Sequence, residues 1–200
     1  MRIFFARHGQ TDWNVQAKVQ GSTDIPLNDT GIMQARQLCD NLKKENVNPY
    51  KVYTSYQKRA VKTAEIVGEE FKVPVEVLDG LEEMSLGLFE GHTWDEIYKL
   101  YPKELEEWNS YKRYNKSPEG ESYQMVMERL FRALDKIIER GEADKADDKE
   151  VLIVTHGAVV MTLIAMQNNI PFEQSHTIFV KNATPVEFTM SELEEIRKRV

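Results

Sequence analysis

Two short apolar segments, one near each end of the chain, are both followed by a His-Gly pair, and this pattern constrains the fold more than any other feature of the sequence. Residues 3–5 lead into Ala6-Arg7-His8-Gly9, and residues 151–154 lead into Thr155-His156-Gly157. A short apolar run bounded by glycine is typical of a strand that is covered on both faces. Parallel strands bring their carboxyl ends to one edge of a sheet, where ligands bind. We therefore expect His8 and His156 to lie in one site.

Strand and helix patterns alternate along the chain, which is typical of α/β proteins. The strand patterns are residues 52–53, 75–78 and 151–155, with a terminal hairpin predicted from 178–180 and 186–189. The helical patterns include 32–42, after a cap at Asn28 or Asp29, then 60–71, 121–141 and 158–166. The charged residues 142–149 predict a solvated loop. Residues 1–200 are thus predicted to form one domain, an α/β/α three-layer sandwich with a mostly parallel central sheet.

The segment 92–120 is unusually rich in aromatic residues and ends in the turn sequence Ser117-Pro118-Glu119-Gly120. Its aromatic residues are Trp94, Tyr98, Tyr101, Trp108, Tyr111 and Tyr114. We predict a helical excursion from the core that covers the site. The alternative is that each aromatic residue only packs the excursion onto the body. Lys112-Arg113 within it would either bind a second anion or be solvated.

The composition limits the classes of partner. There are 26 Lys and Arg against 33 Asp and Glu, a net charge of −7, which argues against nucleic acid as the main partner. No signal peptide or apolar stretch of membrane-spanning length is visible, so we expect a cytoplasmic protein without a membrane partner. Cys39 is the one cysteine, so an internal disulfide is impossible, and it is predicted to be a buried packing residue.

The chain resembles the histidine phosphatase superfamily, the phosphoglycerate-mutase-like proteins. The resemblance begins with the run from Ala6-Arg7-His8-Gly9 to Asn14 and ends at Thr155-His156-Gly157. Between these, the matching positions are Gln20-Gly21, Asp24-Ile25-Pro26-Leu27, Gly31, Gln34-Ala35, Arg59-Ala60, Thr63-Ala64 and residues 81–91. These motifs are specific and extend along nearly the whole chain, and they imply the phosphoglycerate mutase-like fold.

The resemblance implies a metal-independent transfer of a phosphoryl group through His8. A neutral imidazole can attack phosphorus and form a phosphohistidine if its other nitrogen is held in the right tautomer. Arg7 and Arg59 would bind the phosphoryl oxygens, since a guanidinium presents two donors at once. His156, when protonated, would stabilise the charge of the transition state.

The acid is predicted to be Glu83, because the family pattern places a glycine four residues after it, here Gly87. Glu83 would protonate the leaving oxygen and then deprotonate the attacking water. Glu82 is interpreted as a solvated neighbour. Glu90 and Gly91 also match the family, and we interpret this match as structural.

Polar residues of the first loop complete the expected phosphate pocket. Asn14, Gln20 and Gly21 match positions that line this pocket in the family, although loop hydrogen bonding is an alternative role for both amides. No cofactor is implied and no metal. A zinc site from His8, Glu83 and His156 is disfavoured by the two arginines expected there.

Three functions are compatible with these residues. The first is a phosphomonoester hydrolase acting on a small phosphorylated metabolite. The second is a bisphosphate-dependent phosphoglycerate mutase, but residues 83–87 lack the Arg and Tyr that mutases carry after the acid, and Gln20 suits the phosphatase branch better. The third is an inactive scaffold that binds phosphorylated partners. A homodimer is compatible with the sequence.

Overall fold

The computed structural model describes residues 1–145 and 149–200, and its centre is a five-stranded sheet. In chain order the strands are β1 (Arg2–Arg7), β2 (Pro49–Thr54), β3 (Val75–Val77), β4 (Glu150–Thr155) and β5 (Pro185–Phe188). The spatial order is β3-β2-β4-β1-β5. The first four strands are parallel, and β5 runs antiparallel to β1 at one edge. The predicted, mostly parallel sheet is confirmed.

Helices cover both faces of this sheet. They are α1 (Asp12–Val15), α2 (Asp29–Lys44), α3 (Lys58–Phe71), α4 (Trp94–Leu100), α5 (Pro102–Ser110), α6 (Tyr123–Ala143), α7 (Gly157–Gln167) and α8 (Met190–Arg197). Short 3-10 turns lie at Gly87–Phe89 and Phe172–Thr177. In the part of the chain that the structure describes, no helix combines the length and apolar character needed to cross a bilayer.

The alternation of side chains along the central strands divides the core into two clusters. Phe4 and Leu152 point to one face, where they pack with apolar side chains of α2 and α3. Phe5 and Ile153 point to the other face and join the larger cluster under α6, α7 and α8. The continuous apolar runs of β1 and β4 are therefore explained by burial on both faces, and the three-layer α/β/α sandwich is confirmed.

The predicted helix after Asn28 begins as expected. The Asn28 side chain accepts from the Gly31 amide at 2.9 Å, as an N-cap does. Ala35, Leu38 and Cys39 lie on its buried face, which confirms the packing role of the cysteine. The predicted loop at 142–149 lies only partly within the described residues, since 146–148 are outside them, and α6 continues to Ala143.

The predicted terminal hairpin is wrong. Residues 178–180 form no strand, and β5 pairs instead with β1, with Phe5 opposite Val186. The Val180 carbonyl accepts a hydrogen bond from Arg7 Nη1 at 3.0 Å, so this part of the backbone binds a side chain of the predicted site instead of pairing with a neighbouring strand. The chain then ends in α8, which starts with a capping box between Thr189 and Glu192.

The aromatic-rich segment 92–120 contains α4 and α5, and its predicted role in covering the site stays a prediction. A capping box between Thr93 and Glu96 starts α4, and a proline in the first turn starts α5. Trp108 is buried with its ring centroid 5.9 Å from that of Phe89, so for this residue packing onto the body is the observed role. Other aromatic residues of the segment keep a large exposed surface, namely Trp94, Tyr98, Tyr111 and Tyr114.

Candidate active site

His8 and His156 meet at the carboxyl edge of the sheet, as the strand patterns predicted. β1 and β4 are neighbours in register, and the His8 amide donates to the Thr155 carbonyl at 2.9 Å. The ring centroids of His8 and His156 lie 5.2 Å apart, and both side chains are buried. A Cβ at Gly157 would lie 3.3 Å from Arg7 Nε, so glycine allows this close approach at the start of α7.

The surroundings of His8 suit a nucleophile. Its Nδ1 lies 2.6 Å from the Gly9 carbonyl oxygen, so we assign the proton to Nδ1 and the free lone pair to Nε2. Burial, followed by the positive charges of Arg7 and Arg59, lowers the pKa of His8 well below 6.5. The Gly9 amide donates to Thr63 at 3.1 Å, and Asn182 Nδ2 donates to the His8 carbonyl at 2.8 Å. The ring is thus neutral and held in one orientation.

Arg59 is buried and Arg7 is partly buried, and within the described chain neither guanidinium group has an ion pair within 4 Å. Arg59 Nη1 and Nη2 donate to the carbonyls of Thr23 and Gly21 at 2.7 and 2.8 Å. Burial lowers the pKa of both arginines, while the negative charge of Glu83 opposes this change. The Nε atoms of both are buried without a hydrogen-bond partner in the described part. An unpaired buried cation is costly, and an oxyanion would supply the missing acceptor.

His156 lies beside Ser55 at the end of β2. Ser55 Oγ is 2.7 Å from His156 Nε2, and His156 Nδ1 is buried with no partner among the described residues. With Ser55 donating to Nε2, the Nδ1 proton is the donor that this ring can offer to an oxyanion. Burial, with the charge of Arg59 next, lowers the pKa of His156 well below 6.5, so the ring is neutral in the free protein. Its predicted protonation in the transition state stays a prediction.

Glu83 faces the same pocket from the chain after β3. Its Oε1 accepts from the Met84 amide at 2.9 Å and from the Ala158 amide, in the first turn of α7, at 3.2 Å. Its own amide donates to Gln57 Oε1 at 2.9 Å. The charge of Glu83 raises the pKa of both Arg7 and Arg59 against the effect of burial, as is expected of a carboxylate that faces the two cations.

The interpretation of Glu82 as a solvated residue is wrong. Its side chain is 17% exposed, accepts from the Gly80 amide at 2.8 Å and forms an ion pair with Arg129 at 3.5 Å. Arg129 also donates to the carbonyls of Gly80, Glu82 and Glu83. Glu82 and Arg129 therefore hold the loop that presents Glu83, and the assignment of the acid to Glu83 stays a prediction.

The side-chain amides of Asn14 and Gln20 each use their oxygen in a hydrogen bond within the loop and leave their nitrogen available as a donor. Asn14 Oδ1 accepts from the Thr11 amide at 3.0 Å, and Gln20 Oε1 accepts from Thr11 Oγ1 at 2.9 Å. Neither amide nitrogen has a hydrogen bond within residues 1–145 and 149–200. The loop role is thus observed for the oxygens, and phosphate binding by the nitrogens stays a prediction.

Gly21 positions Arg59 through its carbonyl. It has φ +50°, and a Cβ there would lie 2.1 Å from Glu90 Oε1. Glu90 accepts from the backbone amides of Ser22 and Thr23 at 2.8 and 3.0 Å. Burial alone would raise the pKa of Glu90, but hydrogen bonds from Thr23, Ser22 and the Leu86 amide outweigh it, so the pKa is lowered. Glu90 is therefore structural, and contact of Gly21 with phosphate stays a prediction.

Sequence reasoning missed two residues that complete the pocket. Gln57 is buried just before α3, and its side chain bridges the Gly21 carbonyl, at 3.1 Å, and the Glu83 amide. Asn182 reaches the His8 carbonyl from the chain before β5. The place of Gln57 before the first turn of α3 was a usable signal, whereas no pattern in the sequence indicates Asn182.

The remaining histidines lie apart from the site. His176 is exposed, and His92 packs beside Tyr101 with ring centroids 5.8 Å apart. Within the described residues there is no group of three or more His, Cys, Asp or Glu side chains arranged to hold a metal ion. The donor set that does converge here is cationic or neutral apart from Glu83, which suits an oxyanion better than a cation.

Comparison with known proteins agrees with this geometry. The model of the histidine phosphatase superfamily (branch 1) matches residues 3–197. Phosphatase PhoE of Bacillus subtilis is 36% identical over 162 residues, which are 81% of this chain and 75% of that protein. Phosphoglycerate mutase-like protein 4 of Arabidopsis thaliana is 34% identical over 163 residues, 80% of this chain and 68% of that protein.

A solved structure extends the likeness to the fold. The mycobacterial glucosyl-3-phosphoglycerate phosphatase in complex with VO3 superposes with a TM-score of 0.79 and 28% identity. The match covers 94% of this chain and 90% of that one. With its motifs, its sheet and its paired histidines in agreement, the chain belongs to the histidine phosphatase superfamily.

Proposed function

We propose that the chain is a metal-independent phosphomonoester hydrolase that acts on a small phosphorylated metabolite through a phosphohistidine. One observation carries this proposal. His8 is neutral, is held by the Gly9 carbonyl with Nε2 free, and lies near two guanidinium groups whose buried Nε atoms have no hydrogen-bond partner in the described chain. A phosphoryl group is the ligand that pairs these cations and is also the electrophile for such a nitrogen.

In the first step, His8 Nε2 attacks phosphorus and the bond between phosphorus and the ester oxygen breaks. Glu83, in its carboxylic acid form, donates its proton to that oxygen, so the alcohol leaves neutral. Arg7, Arg59 and the Nδ1 proton of His156 face the charge on the phosphoryl oxygens.

In the second step, the Glu83 carboxylate takes a proton from water as the water oxygen attacks phosphorus. The bond between phosphorus and His8 Nε2 then breaks, which releases inorganic phosphate and restores the neutral imidazole. Glu83 regains its proton, so the cycle consumes one ester and one water and yields one alcohol and one phosphate. The same carboxyl group serves both steps because it faces both the leaving oxygen and its replacement.

Phosphoglycerate mutase activity is the second candidate, because one relative is named a phosphoglycerate mutase-like protein. A mutase must exclude water and hold two anionic ends. After Glu83 this chain has buried Met84 and then Ser85, neither of which can bind an anion as Arg does. Hydrolysis is therefore favoured. The acidic net charge favours a small metabolite over nucleic acid as the partner.

The test is hydrolysis of a panel of phosphomonoesters after exhaustive EDTA treatment, with interconversion of 2- and 3-phosphoglycerate measured on the same sample. We expect hydrolysis to survive chelation, and vanadate to inhibit competitively, since the pocket fits a phosphorus-like oxyanion. Activity that returns only on addition of zinc or magnesium would contradict metal independence. Mutase turnover exceeding hydrolysis would assign the second function, and binding of phosphate without either turnover would assign the scaffold.

A further inference from the structure

An open cavity of about 810 Å³ is lined by the aromatic-rich segment 92–120 on one side and by the chain after α7 on the other. Its lining is largely apolar and includes Trp94, Tyr98, Trp108, Tyr123 and Ile178. Trp94 and Trp108 are stacked, with centroids 6.0 Å apart and planes 5° from parallel. Such a surface suits the apolar or aromatic body of a small ligand.

Two chain segments that contact residues of the phosphate pocket continue into the lining of the cavity. Met161, in the lining, lies one helical turn after Ala158, whose amide donates to Glu83. Ile178, also in the lining, lies two residues before Val180, whose carbonyl accepts from Arg7. Burial raises the pKa of Tyr123 to about 12, and the charge of Glu83 contributes to this direction. A group leaving past Glu83 would therefore enter the cavity.

Among the described residues that line this cavity, Lys112 is the only lysine. It is 8% exposed, and its Nζ lies 4.3 Å from the centroid of the Trp108 ring. This low exposure shows that the interpretation of Lys112 as a solvated residue is wrong. In the described part of the chain its ammonium group also has neither a hydrogen bond nor an ion pair. Its neighbour in sequence, Arg113, is different because its Nε donates to Gln124 at 3.0 Å. Lys112 is therefore a buried ammonium with no carboxylate within 4 Å in the described residues, and Glu173 influences it only from a greater distance.

We propose that Lys112 determines substrate specificity by binding a carboxylate on the leaving group. The substrate class is then a phosphomonoester whose leaving group has an apolar or aromatic body and one carboxylate, an inference that rests on the proposed function. A single ammonium matches a single negative charge. Glu173, which also lines the cavity, disfavours a more highly charged group.

The ionisation of Lys112 gives a readout that packing alone would not produce. Burial lowers its pKa to about 8, against the opposing influence of Glu173. The other ionisable groups in the lining are Asp95, Tyr98, Tyr123, Glu173 and His176. Since Lys112 loses its charge as the pH rises through about 8, the preference for a carboxylate should be present at pH 7 and lost by about pH 9.5.

The test uses phosphonates, which bind without being hydrolysed. Calorimetry would give the Kd of phenylphosphonate and of its 3- and 4-carboxy derivatives for the parent, Lys112→Met, Lys112→Arg and Lys103→Met, with Lys103 as an exposed lysine of α5. In the parent we expect the better carboxy isomer to bind about 10-fold more tightly than phenylphosphonate at pH 7. Lys112→Met should bring this ratio near one, whereas Lys112→Arg should keep most of it and Lys103→Met all of it.

The inference is overturned if neither carboxy isomer is preferred, if Lys112→Met keeps the preference, or if the preference does not change with pH. Lys112→Gln gives a second neutral variant if Lys112→Met does not fold, as judged by thermal unfolding. Hydrolysis of phenyl phosphate by the parent tests the proposed function separately. If the protein prefers the carboxylate but does not hydrolyse phenyl phosphate, the proposed function is rejected and the role of Lys112 in binding a carboxylate is retained. If it hydrolyses phenyl phosphate without a carboxylate preference, the role of Lys112 is rejected and the proposed function is retained.

Discussion

The phosphate pocket and the neighbouring aromatic cavity are built from different parts of the fold. His8 and His156 are buried at the ends of β1 and β4, with Arg7 partly buried beside them. Backbone carbonyls hold His8 and Arg7, and Ser55 holds His156. The cavity is formed largely by α4, α5 and the chain after α7, with stacked rings and one buried lysine. The phosphate pocket is polar and its residues are held by the sheet, whereas the aromatic cavity is largely apolar and is formed by segments outside the sheet.

The difference teaches how this fold separates chemistry from selection. Strand ends are fixed by ladder hydrogen bonds, so they can hold a nucleophile and its cations in one geometry. An excursion outside the sheet can change its side chains without disturbing those strands. We therefore expect variants of the phosphate pocket to impair all substrates and variants of the cavity to alter their ranking.

The largest substrate-dependent effect is expected for Glu83→Gln. General acid catalysis contributes about 10²–10⁴-fold, and its share depends on how poor the leaving group is. We expect kcat/KM to fall by about that range with an alkyl phosphate and much less with p-nitrophenyl phosphate. Because kcat/KM reports only steps through the first irreversible one, slow dephosphorylation does not obscure the contrast.

Glu82→Gln is the matched control for that contrast. Glu82 accepts from the Gly80 amide and pairs with Arg129, so its loss should reduce stability by about 1 kcal/mol and affect both substrates equally. Urea unfolding and the two kcat/KM values measure this. A selective loss with the alkyl phosphate in Glu82→Gln, and an equal loss with both substrates in Glu83→Gln, would move the acid to Glu82.

A smaller effect is expected on stability as the pH falls. The pKa of His8 and of His156 lies well below 6.5 because both rings are buried and near arginines. Below 6.5 the unfolded chain binds protons that the folded chain does not, so stability is lost as the pH falls. For each histidine the slope should be about half of its limit near pH 6.5 and approach about 1.4 kcal/mol per pH unit as the pH falls further.

Urea unfolding from pH 5 to 7.5 measures this slope. The double variant His8→Asn and His156→Asn should flatten it, whereas His176→Asn, at an exposed position, should leave it unchanged. An identical slope in the double variant would show that the two rings are not the buried neutral pair described here.

The smallest effect is expected for Trp94→Ala at the rim of the cavity. It removes the ring that stacks on Trp108, so the ranking of phosphomonoesters by their organic part should change by a few-fold. The inhibition constant of inorganic phosphate should not change. Tyr114→Ala is the control, because Tyr114 is similarly exposed but pairs with Tyr111 outside the cavity lining. Equal changes in the two variants would remove the cavity from substrate selection.

The parts of the site that lie at the ends of strands can be predicted from the amino-acid sequence. Apolar runs followed by polar residues and glycine identified His8 and His156, because such runs are buried on both faces and end at a ligand-binding edge. The family resemblance added Arg59 and the choice of Glu83. These residues depend on local pattern and on the order of the motifs.

The rest depends on contacts between distant segments, which no local pattern encodes. Glu82 looked solvated because its partner Arg129 lies 47 residues away. Asn182 reaches His8 across 174 residues. The hairpin prediction failed because β5 pairs with β1 rather than with a near neighbour. By contrast, the capping box of Thr189 and Glu192 was present in the sequence and would have indicated α8.

The most direct test of the account is to trap the phosphoryl group on His8. The protein would be mixed with labelled substrate, quenched in base and digested, and the labelled peptide identified by mass spectrometry. We predict an acid-labile, base-stable phosphoryl group on His8, and neither label nor turnover in His8→Ala. Hydrolysis of p-nitrophenyl phosphate by His8→Ala near the parent rate, or a label on another residue, would contradict the account.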